Sequence, residues 1–188
     1  MQEIYNYIDE YVKLIYIVRR LNAKLHNLPE FLYSTSVTCN YKDLGLDDES
    51  ISSLDENNNK HDLSNVYTSL LEKTNIMISE IYSKIHHLPL EQKEELYNYL
   101  LLKSVSLTSE ASVVQNNYMR TVGLIEKAEI SSDTESIRTL GRIAKEQYSK
   151  YYELESFKNS YTYLGCYISS MVSHKFEEDL NQGTGFGL

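Results

Sequence analysis

Apolar residues recur at every third or fourth position through most of the chain, the spacing that places side chains on one face of an α-helix. The first stripe consists of Ile4, Ile8, Tyr11, Ile15, Val18, Leu21, Leu25 and Leu28. The second consists of Leu63, Val66, Leu70, Met77, Ile81, Ile85 and Leu88. Arg19, Arg20 and Lys24 fall on the polar side of the first helix, where cations complement the dipole of its carboxyl end. The pattern predicts two long helices.

Helix boundaries are indicated by residues that cap or interrupt a helix. Asp62 suits the amino-terminal cap of the second helix, and Pro89 ends that helix because proline lacks an amide hydrogen. A third helix is expected after Pro89 and a fourth near residue 106, with Thr108 as its cap. Residues 132–135 read Ser-Asp-Thr-Glu, a capping box that starts a fifth helix, and a sixth is expected from about Ser160.

These elements predict an all-α protein of about six helices, in which two long antiparallel helices flank an acidic connection and a smaller helical group follows. Four parts are expected: a long helical hairpin over 1–87 with its loop at 28–60, a segment at 88–130, a C-terminal helical hairpin at 131–182, and a flexible glycine-rich tail at 183–188. Two prolines and seven glycines are too few for a many-turned β-sandwich or barrel.

Negative charge is concentrated in one segment. The net charge is −9, and residues 28–60 contribute −5 of it, from seven acidic and two basic side chains. One interpretation is a solvated connection between helices. The other is an acidic site for a basic protein partner, with Asp47, Asp48 and Glu49 as the binding residues.

No motif in the chain predicts catalysis, a cofactor or a metal site. Adjacent histidines at 86 and 87 point about 100° apart on a helix, so they are interpreted as helix-end residues rather than metal ligands. Two cysteines exclude a disulfide framework, and Cys166 is expected to be a buried, inert thiol among apolar neighbours. The lack of a catalytic motif predicts a non-enzymatic protein. No apolar run reaches the length of a membrane span and no signal pattern opens the chain, which predicts a cytoplasmic protein without membrane association.

Tyrosine is the dominant aromatic residue, with seventeen copies and no tryptophan. Many lie in the last two predicted helices, at Tyr148, Tyr151, Tyr152, Tyr161, Tyr163 and Tyr167. Amphipathic rings at helical spacing suit either an internal core or the interface of a homodimer.

Two segments resemble a known DNA-binding motif. Residues 88–96, which read Leu-Pro-Leu-Glu-Gln-Lys-Glu-Glu-Leu, resemble the opening of the promoter-reading helix-turn-helix of bacterial sigma factors. Residues 120–128, which read Arg-Thr-Val-Gly-Leu-Ile-Glu-Lys-Ala, are similar to its recognition helix. The order of a first helix, a polar linker, a second long helix ending near Leu-Pro and a sigma-like motif resembles phage ArpU-type and RinA-type transcriptional regulators. This resemblance spans residues 8–130.

The resemblance implies a phage or mobile-element type transcriptional regulator that binds duplex DNA as a dimer through residues 107–128. Its DNA-contacting residues would be Asn116, Asn117, Tyr118, Arg120 and Lys127. The first three would enter the groove, the arginine would contact a base edge or a phosphate, and the lysine would contact the backbone. The apolar stripe from Ala111 to Ile125 also fits one unbroken helix, which would remove the turn.

A second hypothesis belongs to a different class. The net charge, the acidic connection and the tyrosine-rich last helices also fit an acidic helical subunit that binds another protein. Such a subunit would serve in an assembly or would inhibit a nucleic-acid-binding partner by occupying its basic groove.

Overall fold

The computed structural model describes residues 1–26 and 60–183, and the side chains of residues 1–26 and 63–173. Within this part of the chain the fold is all-α, as predicted, and contains no strand. The helices are α1 (Gln2–Leu25), α2 (Lys60–His87), α3 (Leu90–Ile130) and α4 (Thr134–Gly183). The predicted tail beyond Gly183 and most of the predicted acidic loop lie outside the described residues.

Successive helices run in alternating directions. Tyr7, near the start of α1, donates a hydrogen bond of 2.5 Å to Glu80, near the end of α2, so these two helices are antiparallel. Helix α3 runs parallel to α1, because Tyr5 donates to Glu95 at 2.7 Å and, one turn along both helices, Tyr99 donates to Asp9 at 2.7 Å. Helix α4 returns antiparallel to α3. The arrangement is an up-down-up-down helical bundle.

The main core lies at one end of this bundle and receives side chains from all four helices. Its buried residues are Ile4, Ile8, Val12, Ile81, Ile85, Leu96, Leu100, Tyr161, Leu164 and Ile168. A second cluster joins only α1 and α2, through Leu14, Ile17, Val18, Leu21, Leu63, Leu70 and Met77. Burial of these side chains away from water is the main force that holds the helices together.

Helix α1 is buried on more sides than its single predicted stripe indicates. Val12, Leu14 and Ile17 lie outside that stripe, and each is at most 2% exposed. The interpretation of Arg20 as a solvent-facing residue is wrong, since it is 5% exposed and its guanidinium lies 5.7 Å from the centre of the Tyr16 ring. The reason is that α1 packs against α2 on one side and against the α3–α4 pair on another.

The number of helices differs from the prediction, because α3 replaces the third and fourth and α4 replaces the fifth and sixth. Thr108, the expected cap, instead donates its hydroxyl at 2.8 Å to the carbonyl of Ser104, within α3. Ser160 donates at 3.1 Å to the carbonyl of Ser156, within α4. Such bonds to the preceding turn are available to serine and threonine inside a helix. The helix-turn-helix expected at 88–130 and the hairpin expected at 131–182 are therefore each one continuous helix.

The expectation of a smaller C-terminal helical group is also wrong. Helices α3 and α4 contain 41 and 50 residues, against 24 and 28 for α1 and α2. Since no proline interrupts the chain near Thr108 or Ser160, no local break ends these helices.

Two predicted boundaries are confirmed, and the two caps predicted for α2 and α4 are wrong. Helix α3 begins directly after Pro89. At the start of α4, the Asp133 carboxylate accepts hydrogen bonds from the Ser136 backbone N–H at 3.1 Å and from its hydroxyl at 2.6 Å, so Asp133 caps this helix and not Ser132 of the expected capping box. These hydrogen bonds hold the pKa of Asp133 below its usual value. Asp62 is not a cap, because α2 already begins at Lys60.

Helices α3 and α4 form a long antiparallel hairpin. One line of α3 residues shielded from solvent alternates at spacings of three and four: Tyr97, Leu100, Ser104, Leu107, Ala111, Val114, Tyr118, Thr121, Ile125 and Ala128. The corresponding residues of α4 are Ile137, Leu140, Ala144, Gln147, Tyr151, Leu154, Lys158, Tyr161, Gly165 and Ile168. This 3.5-residue period is typical of a coiled coil. The register is given by the hydrogen bond of 2.8 Å between the Ser104 and Thr162 hydroxyls.

Candidate interaction surface on helix α3

Four of the five predicted DNA-contacting residues, Asn116, Asn117, Arg120 and Lys127, are exposed on α3. Tyr118 is half-buried and its ring lies 5.2 Å from the ring of Tyr148 on α4. Because consecutive helical residues point about 100° apart, residues 116–118 do not face one groove together. Arg120 and Lys127 are seven residues apart and share one stripe, whereas Tyr118 belongs to the packing of the hairpin.

The hairpin extends beyond the end of α1. Contacts pair Tyr5 with Glu95 and Asp9 with Lys103, so the last roughly dozen residues of α3, about 18 Å, project past Leu25. We call residues 118–150 the hairpin end. It carries six basic and five acidic side chains, a net charge of +1 within a chain of net charge −9.

A polar cluster fixes the hairpin to α1. The Asp9 carboxylate accepts hydrogen bonds from the hydroxyls of Tyr99 at 2.7 Å and Tyr161 at 2.8 Å, and forms an ion pair of 3.0 Å with Lys103. We call these four residues the Asp9 cluster. It joins α1, α3 and α4, and the Lys103 ammonium also lies 5.3 Å from the centre of the Tyr99 ring. Tyr5 stacks on Tyr99 with ring centres 4.1 Å apart.

Burial shifts the titration of the tyrosines in and around this cluster. Burial, followed by the hydrogen bond to Glu95 and the charge of that carboxylate, raises the pKa of Tyr5 to about 12. Burial, then the hydrogen bond to Asp9, raises the pKa of Tyr99 well above its ordinary value. Burial and the charge of Asp9 do the same to the pKa of Tyr161. The Asp9 cluster therefore links three helices structurally, and its tyrosines are in the neutral form.

Exposed apolar residues are concentrated on α3. Among the described residues, nine large hydrophobic side chains are exposed, and seven of them lie on this helix. The seven are Leu101, Leu102, Val105, Val113, Met119, Leu124 and Ile130, with exposed fractions from 47% to 87%. Scattered single apolar residues are ordinary on protein surfaces, so the concentration of these seven on one helix makes its outer face the candidate interaction surface.

One line of positions along α3 carries no charge. It consists of Leu101, Val105, Thr108, Ser112, Gln115, Met119 and Val122, which alternate at spacings of four and three. We call this line the uncharged stripe. The three charged residues between positions 97 and 125, Lys103, Glu110 and Arg120, all fall outside it, and Lys103 turns toward α1.

A shallow groove of about 400 Å³ lies beside the start of this stripe, between α3 and α4. Leu101 lines it from α3, and Thr162, Gly165 and Cys166 line it from α4. The expectation that Cys166 is buried is wrong, because its side chain is exposed. The core positions of this part of α4 are instead occupied by Leu164 and Ile168, which are fully buried.

Sequence reasoning missed both the Asp9 cluster and the uncharged stripe. The cluster joins residues 90 and 152 positions apart, so no local pattern indicates it. The stripe does have a signal, its alternating spacing of four and three, but that signal depends on α3 being continuous. The acidic residues proposed for a basic partner, Asp47, Asp48 and Glu49, lie outside the described residues.

Comparisons with known proteins give no relative: no family model, no curated protein and no solved structure matches the chain. In the described part of the chain, no group of three or more histidine, cysteine, aspartate or glutamate side chains is placed to hold a metal ion. None of the helices, over the same residues, is long and apolar enough to cross a membrane.

Proposed function

We propose that this chain is a helical protein–protein interaction subunit that presents α3 to its partner. The observation that carries the proposal is the placement of seven of the nine exposed large hydrophobic side chains on this one helix. Covering such side chains gains about 25 cal/mol per Å² of apolar surface removed from water. The opposite face of α3 packs against α4, so its outer face is the one available to a partner.

The packing of the bundle supports this proposal by holding α3 in place. The Asp9 cluster and the core around Leu96 and Leu100 attach the first half of α3 to the other three helices. A helix that is already formed and positioned loses little conformational entropy on binding, and that improves affinity.

The acidic connection adds a second element to the proposed partner. Residues 28–60 carry a net charge of −5 and connect α1 to α2 in the sequence. We expect a partner with an apolar site for α3 and basic residues that face Asp47, Asp48 and Glu49. Binding should weaken as salt increases, because salt screens these charges.

Affinity capture from the cells that produce the protein tests the proposal when it is followed by binding of purified components. We expect a partner to be retained by the parent chain and lost with the double variant Leu124→Asn and Ile130→Asn. Ile76→Asn is the matched control, because Ile76 is 60% exposed but lies on α2. Isothermal titration calorimetry with the purified partner should show the same difference: the parent chain and Ile76→Asn bind, and the double variant does not. A partner that binds both variants equally would place the interaction elsewhere.

A second candidate function is DNA binding by the hairpin end. It is favoured by the net charge of +1 over residues 118–150 and by the exposure of Arg120 and Lys127 on one stripe. Fluorescence anisotropy of labelled duplex DNA would show binding that weakens linearly with salt on logarithmic axes. The double variant Arg120→Ala and Lys127→Ala should reduce both affinity and slope, while Lys13→Ala, on exposed α1 surface, should not. Equal affinity of all three proteins would remove these residues from a DNA site.

A further inference from the structure

We infer that the partner on the uncharged stripe is a second copy of the chain, with the two α3 helices antiparallel about a two-fold axis near Ser112. This inference rests on the proposed function, in which α3 is the binding helix. It adds which molecule covers the uncharged stripe of that helix. The stripe runs from Leu101 to Val122 and excludes Leu124 and Ile130.

The composition of the stripe is symmetric about its middle. Leu101 and Val105 are apolar at one end, Met119 and Val122 are apolar at the other, and Ser112 lies between them, flanked by Thr108 and Gln115. A two-fold interface is self-complementary, so a residue that contacts a second residue is contacted by it in return. Antiparallel pairing centred near Ser112 places each apolar end against the opposite apolar end of the other copy. Small and polar side chains then meet at the axis, where the helices can approach closely.

Electrostatics favour this surface over the others that α3 offers. Each copy has a net charge of −9, which opposes association, and the opposition is smallest where the contact brings no like-charged side chains together. On α3 the contact buries no charged side chain, because Lys103, Glu110 and Arg120 lie on other sides of the helix. Uncharged and apolar side chains also avoid the cost of removing an unpaired ion from water.

The size of the surface is sufficient for a stable dimer. From Leu101 to Val122 the helix rises about 32 Å, at about 1.5 Å per residue. With α4 packed alongside α3, the face is roughly 20 Å wide, about two helix diameters. This corresponds to roughly 600 Å² per copy, or about 1,200 Å² in total, which reaches the lower limit of specific interfaces. The groove beside Leu101 and Thr162 continues the same face.

Sedimentation velocity of the purified full chain over a range of concentrations tests the inference. We expect a dimer for the parent chain, and an increase of at least about tenfold in the dimer dissociation constant for Val105→Glu and for Met119→Lys, since each buries a charge. Mixing these two variants should restore a dimer, because opposite charges then meet across the axis. Val113→Glu is the matched control: Val113 is 57% exposed on the same helix but outside the stripe. Circular dichroism checks that every variant is folded.

Disulfide formation tests the antiparallel register independently. In a Cys39→Ser and Cys166→Ser background, Ser112→Cys should form a covalent dimer under mild oxidation, because the two positions meet near the axis. Asn117→Cys, exposed on another side of α3, should not. A dimer that cross-links through Asn117→Cys and not through Ser112→Cys would overturn the assignment.

The failure of this inference is distinguishable from the failure of the proposed function. A chain that is monomeric at all concentrations overturns the second copy as occupant. If that monomer still binds a purified partner through Leu124 and Ile130, the proposed interaction subunit stands. A dimer unaffected by Val105→Glu and Met119→Lys also overturns the inference, since its interface then lies elsewhere.

Discussion

Asp9 shows how one side chain can fix the relative position of three helices. Its carboxylate receives two tyrosine hydroxyls and the Lys103 ammonium, and its side chain remains only 28% exposed. Hydrogen bonds to a charged acceptor are stronger than neutral ones, and leaving their donors without an acceptor is costly. The cluster therefore contributes both to stability and to the placement of α3.

Replacement of Asp9 by alanine should lower the free energy of unfolding by about 2–3 kcal/mol, because three donors lose their acceptor. Urea denaturation followed by circular dichroism measures this change. Glu94→Ala, which removes an exposed carboxylate of α3, is the control and should change stability by less than about 0.5 kcal/mol. If the two variants are equally stable, the Asp9 cluster contributes nothing measurable.

The tyrosines of the bundle should make the protein sensitive to alkaline pH. The pKa values of Tyr5 and Tyr7 are raised from 10.0 to about 12, mainly by burial, and burial also raises the pKa of Tyr99. A group that holds its proton more tightly when folded adds stability below its unfolded pKa and loses it as pH rises through the folded pKa. We expect the free energy of unfolding to fall between pH 10 and 12. Tyr99→Phe should make this decline shallower, and an unchanged slope would contradict the assignment.

At the scale of the element, α3 shows why part of the fold follows from the sequence and part does not. The end of α2 just before Pro89 and the start of α4 near residue 133 could be predicted, because proline and a capping side chain act on their own turn. Which side chain caps α4 was predicted wrongly, since Asp133 and not Ser132 does so. The continuity of α3 and α4 could not, since Thr108 and Ser160 can cap a helix or bond within one. Only packing against the partner helix decides between the two, and that involves residues far apart in the chain.

Continuity of α3 predicts that Gly123→Ala stabilises the protein. Nothing lies within 4 Å of a methyl group added at Gly123, and glycine inside a helix costs about 0.5–1 kcal/mol relative to alanine. The free energy of unfolding should therefore rise by about this amount, as measured by urea denaturation. Gly141→Ala, at an equally open position of α4, should behave alike. A loss of stability only at Gly123 would indicate a turn there instead of a helix.

At the scale of the whole molecule, packing is uneven along the bundle. Four helices meet around Ile8, Ile85, Leu100 and Leu164, each at most 1% exposed, whereas the hairpin end contains only α3 and α4 among the described residues. The seam there uses small residues such as Ala128 and Ala144, which bury less apolar surface than leucine. The described fold therefore combines a firmly packed region of four helices with a projecting hairpin end of two helices.

This unevenness predicts a gradient of amide hydrogen exchange. Local opening costs least where few apolar contacts must be broken, so amides of residues 124–140 should exchange faster than those of residues 81–100 and 161–168. Mass spectrometry of peptic peptides measures the difference. In a dimer formed through the uncharged stripe, residues 101–122 should be protected in the parent chain and should exchange faster in Val105→Glu, while 124–140 change little. Uniform exchange along α3 would contradict the unequal packing. Equal protection of residues 101–122 in the parent chain and in Val105→Glu would show that this protection does not come from dimer formation.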